Sequence, residues 1–406
     1  MVFVTYSVAG GLVAAVSTKV IQSILLLILS FLLIPFAMAK IGGFAGLHQK
    51  LAPHMFSLIA NKEVTFFFVT MITINGLIGV VAMPHHMAIG GAGKSEMNCR
   101  IGWTYGNITK RFVTIAWAFI GLSAAALFPG LESNVREQAF GMMIVNLLPN
   151  GLIGLIIAAM IASVMALCDT YMIDGAALFT RNIYKKYVRK FEEEKHYLGV
   201  ARWSSIFVVI SGIFIAFLLP NIIAGFKVIW SIMAFMGIPF WMALFWRRGN
   251  RYGFWLSVFV TSALYFFTSS LGWTYPAQIA LYLPGGVLCF IMASLFTQPE
   301  PEEKINSFYM LLETPVGEEY KLHAAGVKII HEGATEKKST SGKPDSTNHL
   351  RSLEERGQRL LIVDLLQLYK KFSFRRYRID ILGFLLAWGI VFFIILFAFM
   401  VSQIGS

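Results

Sequence analysis

The chain alternates between long apolar blocks and short polar connections. A helix that crosses a bilayer needs about 20 consecutive apolar residues. On that criterion nine spans are expected: 17–40, 64–84, 109–129, 151–179, 200–222, 226–246, 253–272, 276–297 and 380–402. The blocks show no sustained period-two alternation of the kind a membrane barrel needs. The prediction is an all-α transmembrane bundle. The first apolar stretch, residues 2–38, is too long for one span, and Gly10, Gly11 and Lys19 interrupt it. We read it as the tail of one helix, a turn and then a full span. It is also too long for a secretory leader and lacks a basic start.

Composition sharpens this picture. The 406 residues are 57% hydrophobic and 14% charged, whereas soluble domains are about a quarter charged. The net charge of +12 does not point to nucleic acid, because the basic residues sit in short loops, as topology demands. Loops 85–112, 180–203 and 247–251 are rich in Lys and Arg. The connections at 130–150, 223–225 and 273–275 are poor in them. The basic loops are therefore expected on the cytoplasmic side, with the start of the chain inside and its end outside. Loop 41–63 falls outside although it holds Lys50 and Lys62. The expected location is the plasma (inner) membrane, as a multi-pass protein whose solvent is the lipid bilayer.

Three regions follow: a membrane bundle over 1–297, a polar cytoplasmic loop over 298–379 and a C-terminal span within 380–406. The loop has a Ser/Thr/Gly/Lys-rich middle, Gly333 to Asn348, whose composition predicts disorder. Leu350 to Tyr369 has helical periodicity with charge on one side, suited to lying on a membrane surface. The loop shows no catalytic motif and reads as a tether. Cys99, Cys168 and Cys289 lack metal or disulfide spacing.

Few residues inside the spans can carry chemistry. The second span holds Asn75, Gly76, Gly79 and Pro84, followed by His85 and His86. Transporters break helices near the midplane, where freed backbone groups bind ions or solute. The other reading is that Gly76 and Gly79 permit close helix packing. His85 and His86 are adjacent and point apart on a helix, which argues against a shared metal, and a pH-sensitive pair is the alternative. The fourth span holds Ser163, Asp169, Thr170 and Asp174. A carboxylate at membrane depth costs roughly 2.5–3.5 kcal/mol on insertion scales, so it faces the bundle interior. Ser163, Thr170 and Asp174 share a helix face, and Asp169 lies about 100° round from Thr170. Asp174 lies nearer the cytoplasmic end, where capping or an ion pair with Arg181 is the alternative. Lys19 is either a snorkelling lysine at the interface or a buried ammonium paired with Asp169. Trp103, Tyr105 and Trp117 line a cavity or sit at the membrane interface. A membrane-embedded enzyme would need converging nucleophile and base residues or a metal cluster, and apart from Asp169, Asp174, His85 and His86 none is apparent.

Three segments together resemble the sodium:solute symporter family. Tyr6-Ser7, Gly10-Gly11, Thr18-Lys19 and Gln22 are similar to its Tyr-Thr-x-x-Gly-Gly-Leu-x-Ala-Val-x-x-Thr-Asp-x-x-Gln signature. Leu148-Pro149-Asn150-Gly151-Leu-Ile-Gly154 precedes an Ala/Ser/Met-rich helix that ends in Phe179-Thr180-Arg181-Asn182-Ile183-Tyr184. Phe245-Trp246-Arg247-Arg248-Gly249-Asn250 with Gly253 is close to Phe-Trp-Lys-Arg-x-Asn-x-x-Gly. Pro84-His85 and Lys94-Ser95-Glu96 also fit the family's spacing. The resemblance covers residues 1 to about 297.

The resemblance implies a LeuT-like bundle of two inverted five-helix repeats plus extra C-terminal helices. It implies symport of a small organic solute with sodium by alternating access, without a cofactor. On this mapping 17–40 looks like core helix five and 64–246 like core helices six to ten. The bundle is then incomplete, with core helices one to four expected from a longer chain or a partner chain. The family's sodium site uses neighbouring hydroxyls on core helix eight, and these positions are Ala166 and Leu167 here. Ser163, whose position gives a backbone carbonyl in the family, alone keeps an oxygen-bearing side chain. The signature's Asp is Lys19. An ammonium held by Asp169 is therefore expected to replace the ion, with coupling to a proton as the alternative to sodium. A non-transporting sensor, or an inactive fragment on the same fold, is the remaining reading.

Overall fold

The computed structural model describes residues 2–57, 64–91, 93, 96–132, 135–314, 322, 326 and 378–404. Lys94 and Ser95, the Ser/Thr/Gly/Lys-rich segment and Leu350–Tyr369 lie outside the described residues. The described helices are α1 (Val2–Ile41), α2 (Gly43–Lys50), α3 (Phe66–Gly79), α4 (Pro84–Gly91), α5 (Glu96–Leu127), α6 (Ala139–Leu147) and α7 (Asn150–Leu178). They continue with α8 (Glu194–Leu218), α9 (Ile222–Phe245), α10 (Arg251–Ser270), α11 (Tyr275–Phe296), α12 (Glu302–Glu313) and α13 (Arg378–Ser402). A π-helical segment, Phe179–Val188, prolongs α7. Among the described residues, eight helices are long and apolar enough to cross a membrane.

Three expectations need correction. The turn expected inside residues 2–38 is absent, and α1 runs unbroken from Val2 to Ile41 with Gly10 and Gly11 inside it. A continuous helix satisfies its own backbone hydrogen bonds, and apolar surroundings tolerate helical glycines. The span expected over 64–84 is not one helix. α3 ends at Gly79, a 3-10 turn covers Val80–Ala82, Met83 is extended, and α4 starts at Pro84. Pro84 lacks an N–H and pushes Met83 out of helical geometry. The helix expected from 109 begins at Glu96, because helical backbone continues past the end of an apolar block.

Contacts between connections agree with the expected sides. Arg100 pairs with Asp380, Lys185 with Glu194, and Asn250 bonds Thr297, all on the basic side. On the other side Lys40 Nζ donates to the Asn146 carbonyl, and the Ile222 N–H donates to Glu137. Asparagine side-chain caps start two spans: Asn221 Oδ1 accepts from the Ala224 N–H at 2.7 Å, and Asn250 Oδ1 from the Gly253 N–H at 2.9 Å. The start of the polar loop is ordered as α12, where the Tyr309 hydroxyl donates to the Ala243 carbonyl at 2.9 Å.

Two packed bodies flank the site. One joins Leu29, Leu33 and Ala37 of α1 to Ile120 of α5, Met143 of α6 and Ile156 of α7. The other joins Phe235 and Ile238 of α9 to Tyr265 of α10 and Ile279 and Tyr282 of α11, with Ile72 and Ile78 of α3 against it. α10 and α11 close on each other through small residues, with the Ser257 hydroxyl donating to the Gly286 carbonyl at 2.9 Å.

Candidate functional site

α7 is apolar all round, so its few polar residues mark its inward face. Asp169, Thr170 and Asp174 are 0%, 3% and 9% exposed. Leu167, two residues before Asp169, is 58% exposed on the outer face. Ser163 and Ala166 are half-buried.

α1 packs along α7 and brings Lys19 to this face. Lys19 Nζ donates to Thr170 Oγ1. That hydroxyl in turn donates to the Ala166 carbonyl at 3.1 Å. The carboxylates that attract the ammonium are Asp169 first and Asp174 second. Because α1 does not turn before residue 17, Lys19 stands near the middle of a 40-residue helix rather than at its start. Asp174 is drawn to Lys19, whereas Arg181 is exposed on the π-helical segment. Of the six residues singled out for an ion region, the structure brings together Lys19, Ala166, Asp169 and Thr170. Leu167 points away from them.

The broken helix supplies the opposite wall. Asn75 is 2% exposed and bonded at both polar atoms: its amide donates to the Trp230 carbonyl at 3.2 Å and its carbonyl accepts from the Tyr282 hydroxyl at 2.6 Å. Gly79 lies against the backbone of Met233 and Ala234, where an added Cβ would come within 3.0 Å. Asn75 and Gly79 thus fasten α3 to α9 and α11. Gly76 faces open space. Pro84 and His85, beyond the break, line a cavity of about 310 Å³. Its other walls are Tyr171, Asp174, Gly175 and Leu178 of α7 and Ile229, Ile232, Met233 and Met236 of α9.

Aromatic contacts hold the break in place. The His85 ring lies edge-on to Tyr171 with centroids 4.6 Å apart, and His86 lies edge-on to Trp103 at 4.7 Å. His86 Nδ1 is 3.1 Å from the Val80 carbonyl in the break. Among the described residues no group of three or more His, Cys, Asp or Glu is placed to hold a metal ion. Trp117 is remote: its indole donates to Ser30 Oγ at 3.0 Å, and it lines a cavity of about 770 Å³ with Lys50, Arg136 and Glu137. Tyr105 reaches the Gly383 carbonyl of α13 at 3.4 Å.

Sequence reasoning missed Tyr171, Met233, Met236 and Tyr282. Their residue types are ordinary in a span, and only packing gives them a role. Gly237, which lies against the Ile78 carbonyl, carried a signal in the pair Gly237 and Pro239 within an apolar run.

A model of the sodium:solute symporter family matches residues 1–280. Sodium/glucose cotransporter 4 of Danio rerio is 25% identical over 297 residues, which cover 62% of this chain and 44% of that protein. Sodium/glucose cotransporter 1 of Oryctolagus cuniculus is 27% identical over 263 residues, 58% of this chain and 39% of that one. The chain spans less than half the length of these relatives. A solved structure of a Na+-coupled sialic acid symporter, substrate-bound and outward-open, superposes with a TM-score of 0.58 at 18% identity, covering 73% of this chain and 65% of that one. The bundle has the LeuT-like fold of that symporter.

Proposed function

Since the chain belongs to the sodium:solute symporter family, we propose that it serves secondary active transport of a small organic solute by alternating access, in the plasma (inner) membrane. The observation that carries this reading is the break between α3 and α4, which opens onto a groove against α7 and α9. Non-helical backbone is tolerated at membrane depth where protein or a water-filled cavity covers it, and such breaks form binding sites in transporters. The sugar and sialic acid specificities of the similar proteins support a small organic solute as cargo.

Family membership supports sodium as the coupling ion. The local chemistry argues for a tethered ammonium at the place that the resemblance gives to that ion. Ala166 and Leu167 have no side-chain oxygen for a hard cation, and Leu167 faces outward. Lys19 binds Thr170 one turn on, beside Asp169. We adopt the ammonium for this site, with a proton as the coupling ion. The test is uptake of radiolabelled sugars, amino acids and carboxylates by the intact protein in proteoliposomes, with sodium outside or replaced by potassium. Uptake that persists in potassium is expected. Uptake lost without sodium would overturn the ammonium reading. A chain that moves none of these solutes, nor any cation, would overturn transport.

A further inference from the structure

Whatever solute the bundle carries, we infer that the groove between α5 and α13 holds an anionic phospholipid of the cytoplasmic leaflet, with its phosphate on Arg111 and an acyl chain along the apolar walls. Three observations carry this. The first is the place of Arg111. Residues 112–131 carry no charge, so Arg111 stands where α5 enters the apolar zone from the basic side, at the level of the headgroups. The side chain is exposed and lines the groove. Among the described residues it makes no hydrogen bond or ion pair. The acid that α13 brings to this side, Asp380, is taken by Arg100. A guanidinium at the edge of the hydrocarbon calls for an acceptor, and its planar fork of donors matches the oxygens of a phosphate.

Second, the groove is shaped for a chain of methylenes. α5 and α13 are tied at their basic ends by Arg100 with Asp380 and by Tyr105 with Gly383. Beyond that tie, Ile115 and Phe119 of α5 and Val391 and Ile395 of α13 line a space of about 830 Å³, within the range of ligand pockets. The groove follows α5 from Arg111 to Leu122, about 16 Å at 1.5 Å per residue. That length matches one leaflet of a hydrocarbon core about 30 Å thick, so an acyl chain fits it and a spanning helix does not. Third, the charge selects the headgroup. Among the described residues Arg111 is the only charged side chain in the lining, and Lys110 stands exposed beside it. A zwitterionic lipid brings an ammonium that these two cations repel. An anionic lipid brings none, and basic pockets between spans on the cytoplasmic side take such headgroups.

The test strips the intact protein of lipid in detergent and adds back phosphatidylglycerol or phosphatidylcholine with the same acyl chains. Retained lipid is read by native mass spectrometry and stability by thermal unfolding. Phosphatidylglycerol is expected to be retained with about tenfold higher apparent affinity, the ratio given by one hydrogen bond between charged groups, and to raise the melting temperature. Arg111→Gln should abolish that preference, and Arg111→Lys should keep part of it. Lys190→Gln, a change at another exposed cation of the basic side, should leave it unchanged. Ala118→Trp fills the groove and keeps the charge, so it should expel the lipid. The wild-type comparison stands even where a variant fails to fold. Equal retention of the two lipids by the wild type overturns the proposal, because Arg111 would then only reach for water. Equal loss of preference in Lys190→Gln and Arg111→Gln also overturns it, because the preference would belong to the whole basic face. Protection by glycerol 3-phosphate as strong as that by phosphatidylglycerol, or unchanged retention in folded Ala118→Trp, overturns the groove as the seat of the acyl chain.

Discussion

Tyr282 of α11 donates its hydroxyl to the Asn75 carbonyl oxygen of α3 at 2.6 Å, and both residues are shut off from the surface. The bond joins the helix before the break to the body formed by α9, α10 and α11. Tyr282→Phe leaves the Asn75 oxygen buried without that donor, which costs about 1–3 kcal/mol. The expected result is a lower melting temperature in detergent. Asn75→Leu combined with Tyr282→Phe should fall short of the summed single losses, because the two residues share one interaction.

Gly79 and Gly237 let α3 and α9 touch backbone to backbone. A Cβ on Gly237 would stand 2.1 Å from the Ile78 carbonyl oxygen, so Gly237→Ala must part the helices. We expect a loss of at least about 2 kcal/mol, in the range of overpacked cores, seen as poor yield and a lowered melting temperature. Gly76→Ala meets nothing within 4 Å. It should be neutral or stabilising by up to about 1 kcal/mol, since alanine favours the helix. Equal damage from both substitutions would contradict the close approach.

Arg100 and Asp380 form a 2.5 Å ion pair that holds α13 against α5. Tyr105 and Gly383 lie alongside it. Asp380→Asn is expected to lower the melting temperature in detergent, and the exchange Arg100→Asp with Asp380→Arg should restore it in part.

Much of the bundle was legible because lipid imposes one rule on every span. Length and apolarity located α7 to α11 and α13 to within a few residues, apart from α8, which starts earlier in its polar connection. Charge in the loops put on one side the ends that meet through Arg100 and Asp380 and through Asn250 and Thr297. The continuous α1 was not legible, because Gly10 and Gly11 read as a break in water and are tolerated in an apolar helix. The candidate residues were visible as polar side chains in apolar runs, yet their partners were not. Asn75 looked like a solute ligand, but its hydrogen-bonding groups meet Trp230 and Tyr282.

The sequence by itself determined that this is a helical membrane bundle, and which few side chains in it are costly to bury. Burial cost is a property of each residue and its neighbours along the chain, so it can be read in one dimension. Only the tertiary structure decided what relieves that cost. Lys19 meets Thr170 from 151 positions away, Asn75 is satisfied from 207 positions away, and Asp174 has the Lys19 charge brought near it. Those pairings depend on how helices cross and which faces they present, and the spacing of residues along one chain does not contain that geometry.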